Sequence, residues 1–131
     1  MNWVLLRGGD WWLDVEAEAR EQYLAAYRQL PLAMAIETAR GRLGIVHADV
    51  PERMGWPGFL AALEDGDSAA RQTALWGRRR ADGLIRPPVD GIDQVVCGHT
   101  ITPDRHIRHH ANVWFIDTGA FLAEAHGYGG T

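Results

Sequence analysis

The sequence predicts an α/β domain, and three observations carry that reading. Two short apolar runs, Leu43 to Val46 in "LGIVHADVP" and Val95 to Cys97 in "VVCGHTITP", have the composition of strands, and each ends at or one residue short of a histidine. The segments between and around them carry helical spacing and helix-start residues. In α/β folds the strand tips are rigid and open to solvent, so ligands and reacting groups collect there.

The elements follow in order. After an apolar opening and the Gly8-Gly9 break, Asp14 is a candidate helix N-cap, with Glu16 and Glu18 suited to the first turn. From there to about Arg28, the residues Val15, Ala19, Tyr23, Ala26 and Tyr27 approximate a 3.6-residue stripe. Leu32 to Thr38 suits strand or helix; strand is preferred, paired as a hairpin with 43–47 across a turn at Gly41. "WPGFLAALEDGDSAARQTALWGRRRADG" reads as two short helices parted at Gly66, with Pro57 near the first start and Asp67 or Ser68 capping the second. "IRPPVDGID" is a loop, because Pro87 and Pro88 lack donors and fix the backbone. Val113 to Ile116 form a last short strand, and the tail after it carries Gly127, Gly129 and Gly130.

Composition bounds the function. The chain has 131 residues, the usual range for one domain. A net charge of -4 and a pI near 5.8 provide no basic footprint, so neither nucleic acid nor an anionic membrane is an expected partner. No run approaches the roughly 20 apolar residues that span a bilayer, and the opening lacks a signal-peptide cleavage region. A cytoplasmic location is the expectation, and the single cysteine, Cys97, fits it as an inert core thiol. Tryptophans at positions 3, 11, 12, 56, 76 and 114 imply large buried or interface areas.

The chemistry centres on the histidine tips. "HAD" and "GHT" have small neighbours, Ala48 and Gly98, that leave room for a metal or phosphate near the backbone. Neutral imidazoles suit a borderline cation, but His47 and His99 alone are too few to close a site. Asp49 is expected to order the turn after its strand, and Asp117 to cap the "DTGA" turn. The arginines of "WGRRR" read, on their own, as a solvated helix C-terminus. His106, His109 and His110 in "RHIRHH" read as a polar edge.

Taken in order, "GIVHADVP", "LWGRRR", "VVCGHTITP" and "FIDTGAF" resemble the C-terminal half of bacterial and phage Ser/Thr protein phosphatases of the PPP type, which are calcineurin-like metallophosphoesterases. The opening "WVLLRGGDWWLD" is similar to the segment that follows the metal-binding half in that group. The resemblance implies a β-sandwich flanked by helices with two divalent ions, manganese foremost, at the strand tips. It implies His47 and His99 as metal ligands, Arg78 as the residue that grips the phosphoryl group, and a phosphoprotein or small phosphomonoester as substrate. Arg79 and Arg80 are expected to be ordinary surface residues. A dinucleotide polyphosphate hydrolase is the nearest competitor, but its tip motif is GHW rather than GHT.

The signatures GDxHG, GDxVDRG and GNHE of that family's N-terminal half do not occur in these residues. The chain is therefore expected to be a C-terminal portion over its whole length, 1–131, from a truncated gene or a fragment, with weak or no activity alone. A partial sandwich would bare apolar surface, so self-association, a dimer foremost, is expected to complete it. The alternative class is a non-catalytic, oligomerising remnant that binds metal, phosphate or a partner protein.

Overall fold

A computed structural model of the chain describes residues 9–120, which fall into two compact units divided after Pro31. The first unit holds a short 3-10 helix, Asp10–Asp14, and helix α1, Ala17–Gln29. The helix starts later than Asp14 because that residue completes the 3-10 turn, whose last bond runs from Val15 N–H to the Trp12 carbonyl. Glu16 takes the N-cap position instead, without a side-chain bond. Trp11, Trp12 and Tyr23 form an aromatic cluster with ring centroids 5.5–6.4 Å apart. The stripe does form a helix, but α1 holds no buried residue, and Tyr23 and Tyr27 are exposed.

Among the described residues the second unit holds a five-stranded mixed sheet and helices in the crossover between its strands, of the α/β class that the patterning predicts. Its strands are β1 (Ala33–Thr38), β2 (Gly41–Val46), β3 (Gln94–Cys97), β4 (Arg108–His110) and β5 (Val113–Phe115), in the order β1-β2-β3-β5-β4. β1 and β2 form the expected antiparallel hairpin. β2, β3 and β5 are mutually parallel, and β4 closes the other edge antiparallel. Parallel neighbours need a long crossover, and the segment 47–93 between β2 and β3 contains helices α2 (Trp56–Glu64) and α3 (Ser68–Trp76). Of the sandwich implied by the resemblance, the described residues hold this one sheet.

Pro57 lies in the first turn of α2, where its missing N–H costs nothing. Asp67 rather than Ser68 caps α3, its Oδ1 accepting from Ala70 N–H at 2.6 Å. The proline loop is held by Asn112, which donates to the Val89 and Ile92 carbonyls and accepts from Val89 N–H.

Alternation divides the sheet into two faces. Val46, Val95, Cys97, Val113 and Phe115 point to the core, where they meet Trp56 and Phe59 of α2 and Ala70 and Ala74 of α3. Gly44 makes that packing feasible, since a Cβ there would sit 2.7 Å from the Trp56 ring. Cys97 is fully buried, and its thiol is pushed up to about 12, first by burial and then by the Asp49 charge. It is the inert core thiol expected. The register sets Met34, Ile45, Val96 and Trp114 side by side on the opposite face. Met34 and Ile36 there are each 43% exposed.

The burial half of the tryptophan expectation holds for one of the described positions. Trp56 alone among them is fully buried, while Trp11 and Trp76 are exposed and Trp12 and Trp114 half-buried. An indole is large enough to contribute to a surface cluster or a half-covered face without entering a core. Trp3 and the glycine tail lie outside the described residues.

Candidate active site at the strand tips

Parallel pairing of β2 and β3 brings the two histidine tips together. Val46 is in register with Cys97, and Gly98 N–H continues the ladder by donating to the His47 carbonyl at 2.9 Å. His47 Nε2 then lies 3.1 Å from His99 Nδ1, with ring centroids 4.9 Å apart. The two residues singled out as metal ligands are in direct contact.

His99 is held there by a strained backbone. Its φ is +65°, and Thr100 N–H donates to the Gly98 carbonyl at 2.7 Å, closing a three-residue γ-turn around it. A non-glycine residue in this region costs on the order of 1–2 kcal/mol, and such strain gathers at ligand-handling sites. The turn aims the imidazole across at His47 instead of letting it continue the strand's alternation. Trp76, the last residue of α3, meets the His99 ring edge-on at 5.4 Å.

Arg78 comes from the segment after α3. The helix ends at Trp76, so the arginines follow it rather than forming its last turn. Gly77 permits the crossing, because a Cβ there would meet Asp49 Cβ at 2.5 Å and the Thr73 carbonyl at 2.7 Å. Ala48 N–H donates to the Ala74 carbonyl at 2.8 Å, tying the tip of β2 to the same helix end. Arg78 is exposed, and its Nη1 reaches Thr100 Oγ1 at 3.4 Å, one residue beyond His99. All three candidate residues thus belong to one constellation.

Its support is a pair that the arginine run does not reveal. Arg80 is not a surface residue: it is 3% exposed, and its Nε lies 3.3 Å from Asp49 Oδ1, an ionic contact outside hydrogen-bond geometry. Asp49 is 1% exposed, accepting from Val50 N–H at 2.8 Å and Arg80 N–H at 3.1 Å. Arg80 Nη1 also donates to the Pro87 carbonyl. Burial raises the Asp49 carboxyl above its usual range, opposed by these bonds and by the arginine charges. Asp49 orders its turn as expected, and anchors a second segment as well. Arg79 is exposed and pairs with Glu52.

The remaining candidates are engaged locally. Asp117, beyond β5, caps its own turn through Gly119 N–H, as expected. In the β4 hairpin, His106 Nδ1 contacts the Asp104 carbonyl, His109 stacks on Trp114 and His110 packs against Phe115. Thr100, Arg108 and His110 contribute to the wall of a cleft of about 340 Å³ beside the GHT tip.

A metal can be tested against this geometry. Two nitrogens bound to one tetrahedral zinc-like ion at about 2.0–2.1 Å sit roughly 3.3 Å apart, so the histidine pair is spaced as two ligands of one ion would be. The count does not suffice. Among the described residues no group of three or more His, Cys, Asp or Glu side chains is placed to hold a metal. The spacing of the histidine pair fits two ligands of one ion, and the described residues add no third.

The second unit is thus an α/β domain with a histidine pair at two adjoining strand tips and an arginine from the segment after α3 beside them. The chain is 28% identical over 128 residues to serine/threonine-protein phosphatase 2 of Salmonella typhimurium, covering 93% of this chain and 54% of that protein. It is 30% identical over 119 residues to serine/threonine-protein phosphatase 1 of the same organism, covering 88% of this chain and 50% of that protein. The chain spans about half the length of the curated relatives it matches. No family model matches it. Among the described residues no helix is long and apolar enough to cross a membrane.

Proposed function

We propose that the chain is the C-terminal portion of a metal-dependent phosphoesterase of the Ser/Thr protein phosphatase kind, acting on a phosphoprotein or a small phosphomonoester. The observation that carries this reading is the convergence of His47, His99 and Arg78. His47 and His99 are assigned as ligands to one divalent ion, with manganese the first choice. When bound, such an ion supplies Lewis acidity and an activated water. Arg78 is assigned to grip the phosphoryl oxygens, for which a guanidinium fork is well shaped. The likeness to two phosphatases supports the reading at the level of reaction class.

The proposal includes incompleteness. In this reading the further ligands are supplied from outside the described residues, which contribute only the histidine pair. The half-exposed sheet face with Met34 and Ile36 favours a second layer, and self-association is the form proposed for the isolated chain. Sedimentation should show a dimer at micromolar concentration; a compact monomer would remove that part.

A second reading is favoured by the same lack of a three-ligand group: a non-catalytic chain that binds metal, phosphate or a partner protein. One assay separates them. Hydrolysis of p-nitrophenyl phosphate with added manganese is measured on the chain and on His47→Ala and His99→Ala, with metal content alongside. Weak activity lost in both variants supports a site rebuilt between copies. Bound metal or phosphate without hydrolysis favours the second reading, and neither binding nor hydrolysis in any form contradicts both.

A further inference from the structure

We propose that the buried Asp49–Arg80 pair is a positioning device that sets His47 and Arg78 at one fixed separation across the strand tips. The inference rests on the reading of those two residues given above, but its evidence is the wiring around them. Asp49 is two residues after His47, and Arg80 is two residues after Arg78. The carboxylate accepts from the backbone N–H of Val50 on one segment and of Arg80 on the other, and it faces the Arg80 guanidinium at 3.3 Å. The guanidinium then anchors a third segment at the Pro87 carbonyl. The two segments also approach closely at Gly77, where an added Cβ would lie 2.5 Å from Asp49 Cβ.

Filling the space does not explain this arrangement. Apolar side chains of similar volume fill a buried site at equal or lower cost than an ion pair. They cannot accept hydrogen bonds from two backbone segments at once. The carboxylate therefore does something that packing alone would not: it joins the backbone just past the imidazole to the backbone just past the phosphate-gripping arginine. Asp49 and Arg80 touch no substrate in this scheme and act through their neighbours.

The test uses the full chain with inorganic phosphate as the probe. Phosphate is titrated while the side-chain Nε–H resonance of Arg78 is followed by NMR, and the melting temperature is recorded in parallel. The informative variant is Asp49→Leu/Arg80→Met, which removes the wiring but keeps a filled interior; Arg80→Lys keeps the charge and loses the fork. The expected result is phosphate binding weakened about tenfold or more in the double variant, with a melting temperature near wild type and Arg80→Lys in between. Unchanged affinity in the folded double variant overturns the proposal. Arg78→Ala is the control for the underlying reading, which fails if that variant binds phosphate as well as wild type or if wild type binds none. In that event the nuclear Overhauser contacts between the His47 and His99 rings, and between Arg78 and Thr100, decide. Their loss in the folded double variant upholds the positioning role; their persistence overturns it. Should the double variant not fold, Arg80→Lys carries the same readouts.

Discussion

Two aspartate–arginine pairs in this molecule share a chemistry and differ in almost everything else. Asp49 and Arg80 have side chains 2% and 4% exposed, and Asp104 and Arg108 have side chains 48% and 47% exposed. Burial raises the Asp49 carboxyl, whereas the hydrogen bond from Arg108 lowers the Asp104 carboxyl. The inner pair is an expense in desolvation that is tolerated because it wires the candidate site, and the outer pair trims a surface hairpin. Identical partners therefore carry opposite consequences, decided by access to water.

The sharpest way to break this contrast is to remove one inner partner. Asp49→Ala leaves the Arg80 guanidinium buried without a counter-charge and should cost about 3 kcal/mol or more in urea unfolding. A cost near zero would mean that the interior relaxes around a lone cation. Next in size is the pH response. The folded Asp49 value is raised, so the folded state holds that proton more tightly than the unfolded chain. Relative to Asp49→Asn, wild-type stability should fall as pH rises from the unfolded carboxylate value through the folded one. Asp104 has the opposite sign: its contribution is present above the unfolded value and is lost as pH falls through the lowered folded one. Stability against pH for Asp49→Asn and Asp104→Asn should diverge from wild type in opposite directions. The smallest effect belongs to Asp104→Ala, which should leave the melting temperature unchanged in 1 M salt, where exposed charges are screened within about 3 Å.

Strands β1, β2, β3 and β5, the hairpin, the two central helices and a cap at Asp67 or Ser68 were legible because each is written in local pattern and cap chemistry, whereas β4 lies in the histidine-rich stretch that read only as a polar edge. So were the histidine tips, since parallel register carries two strand ends to one place. The Arg80 burial was not legible. Three successive arginines have the composition of a solvated segment, and the contacts that hold one of them inside, to Asp49 and to the Pro87 carbonyl, come from residues distant in sequence. The γ-turn at His99 was equally hidden, because a left-handed histidine is stabilised by tertiary contacts rather than by its own propensity. Asp14 misled as a helix start for a local reason: two tryptophans before it close a 3-10 turn that consumes the cap position. For the exposed tryptophans and the stripe of α1, hydrophobicity predicts contact but does not name the contacting surface.

The central claim is that His47, His99 and Arg78 are one half of a phosphoesterase site. Its most direct test is manganese-dependent hydrolysis of p-nitrophenyl phosphate by this chain co-expressed with a polypeptide that carries the GDxHG, GDxVDRG and GNHE signatures. The account predicts that the mixture gains activity that neither part has at that level alone, and that His47→Ala, His99→Ala and Arg78→Ala each abolish the gain. Activity that survives all three substitutions, or a folded complex with no hydrolysis, would contradict it.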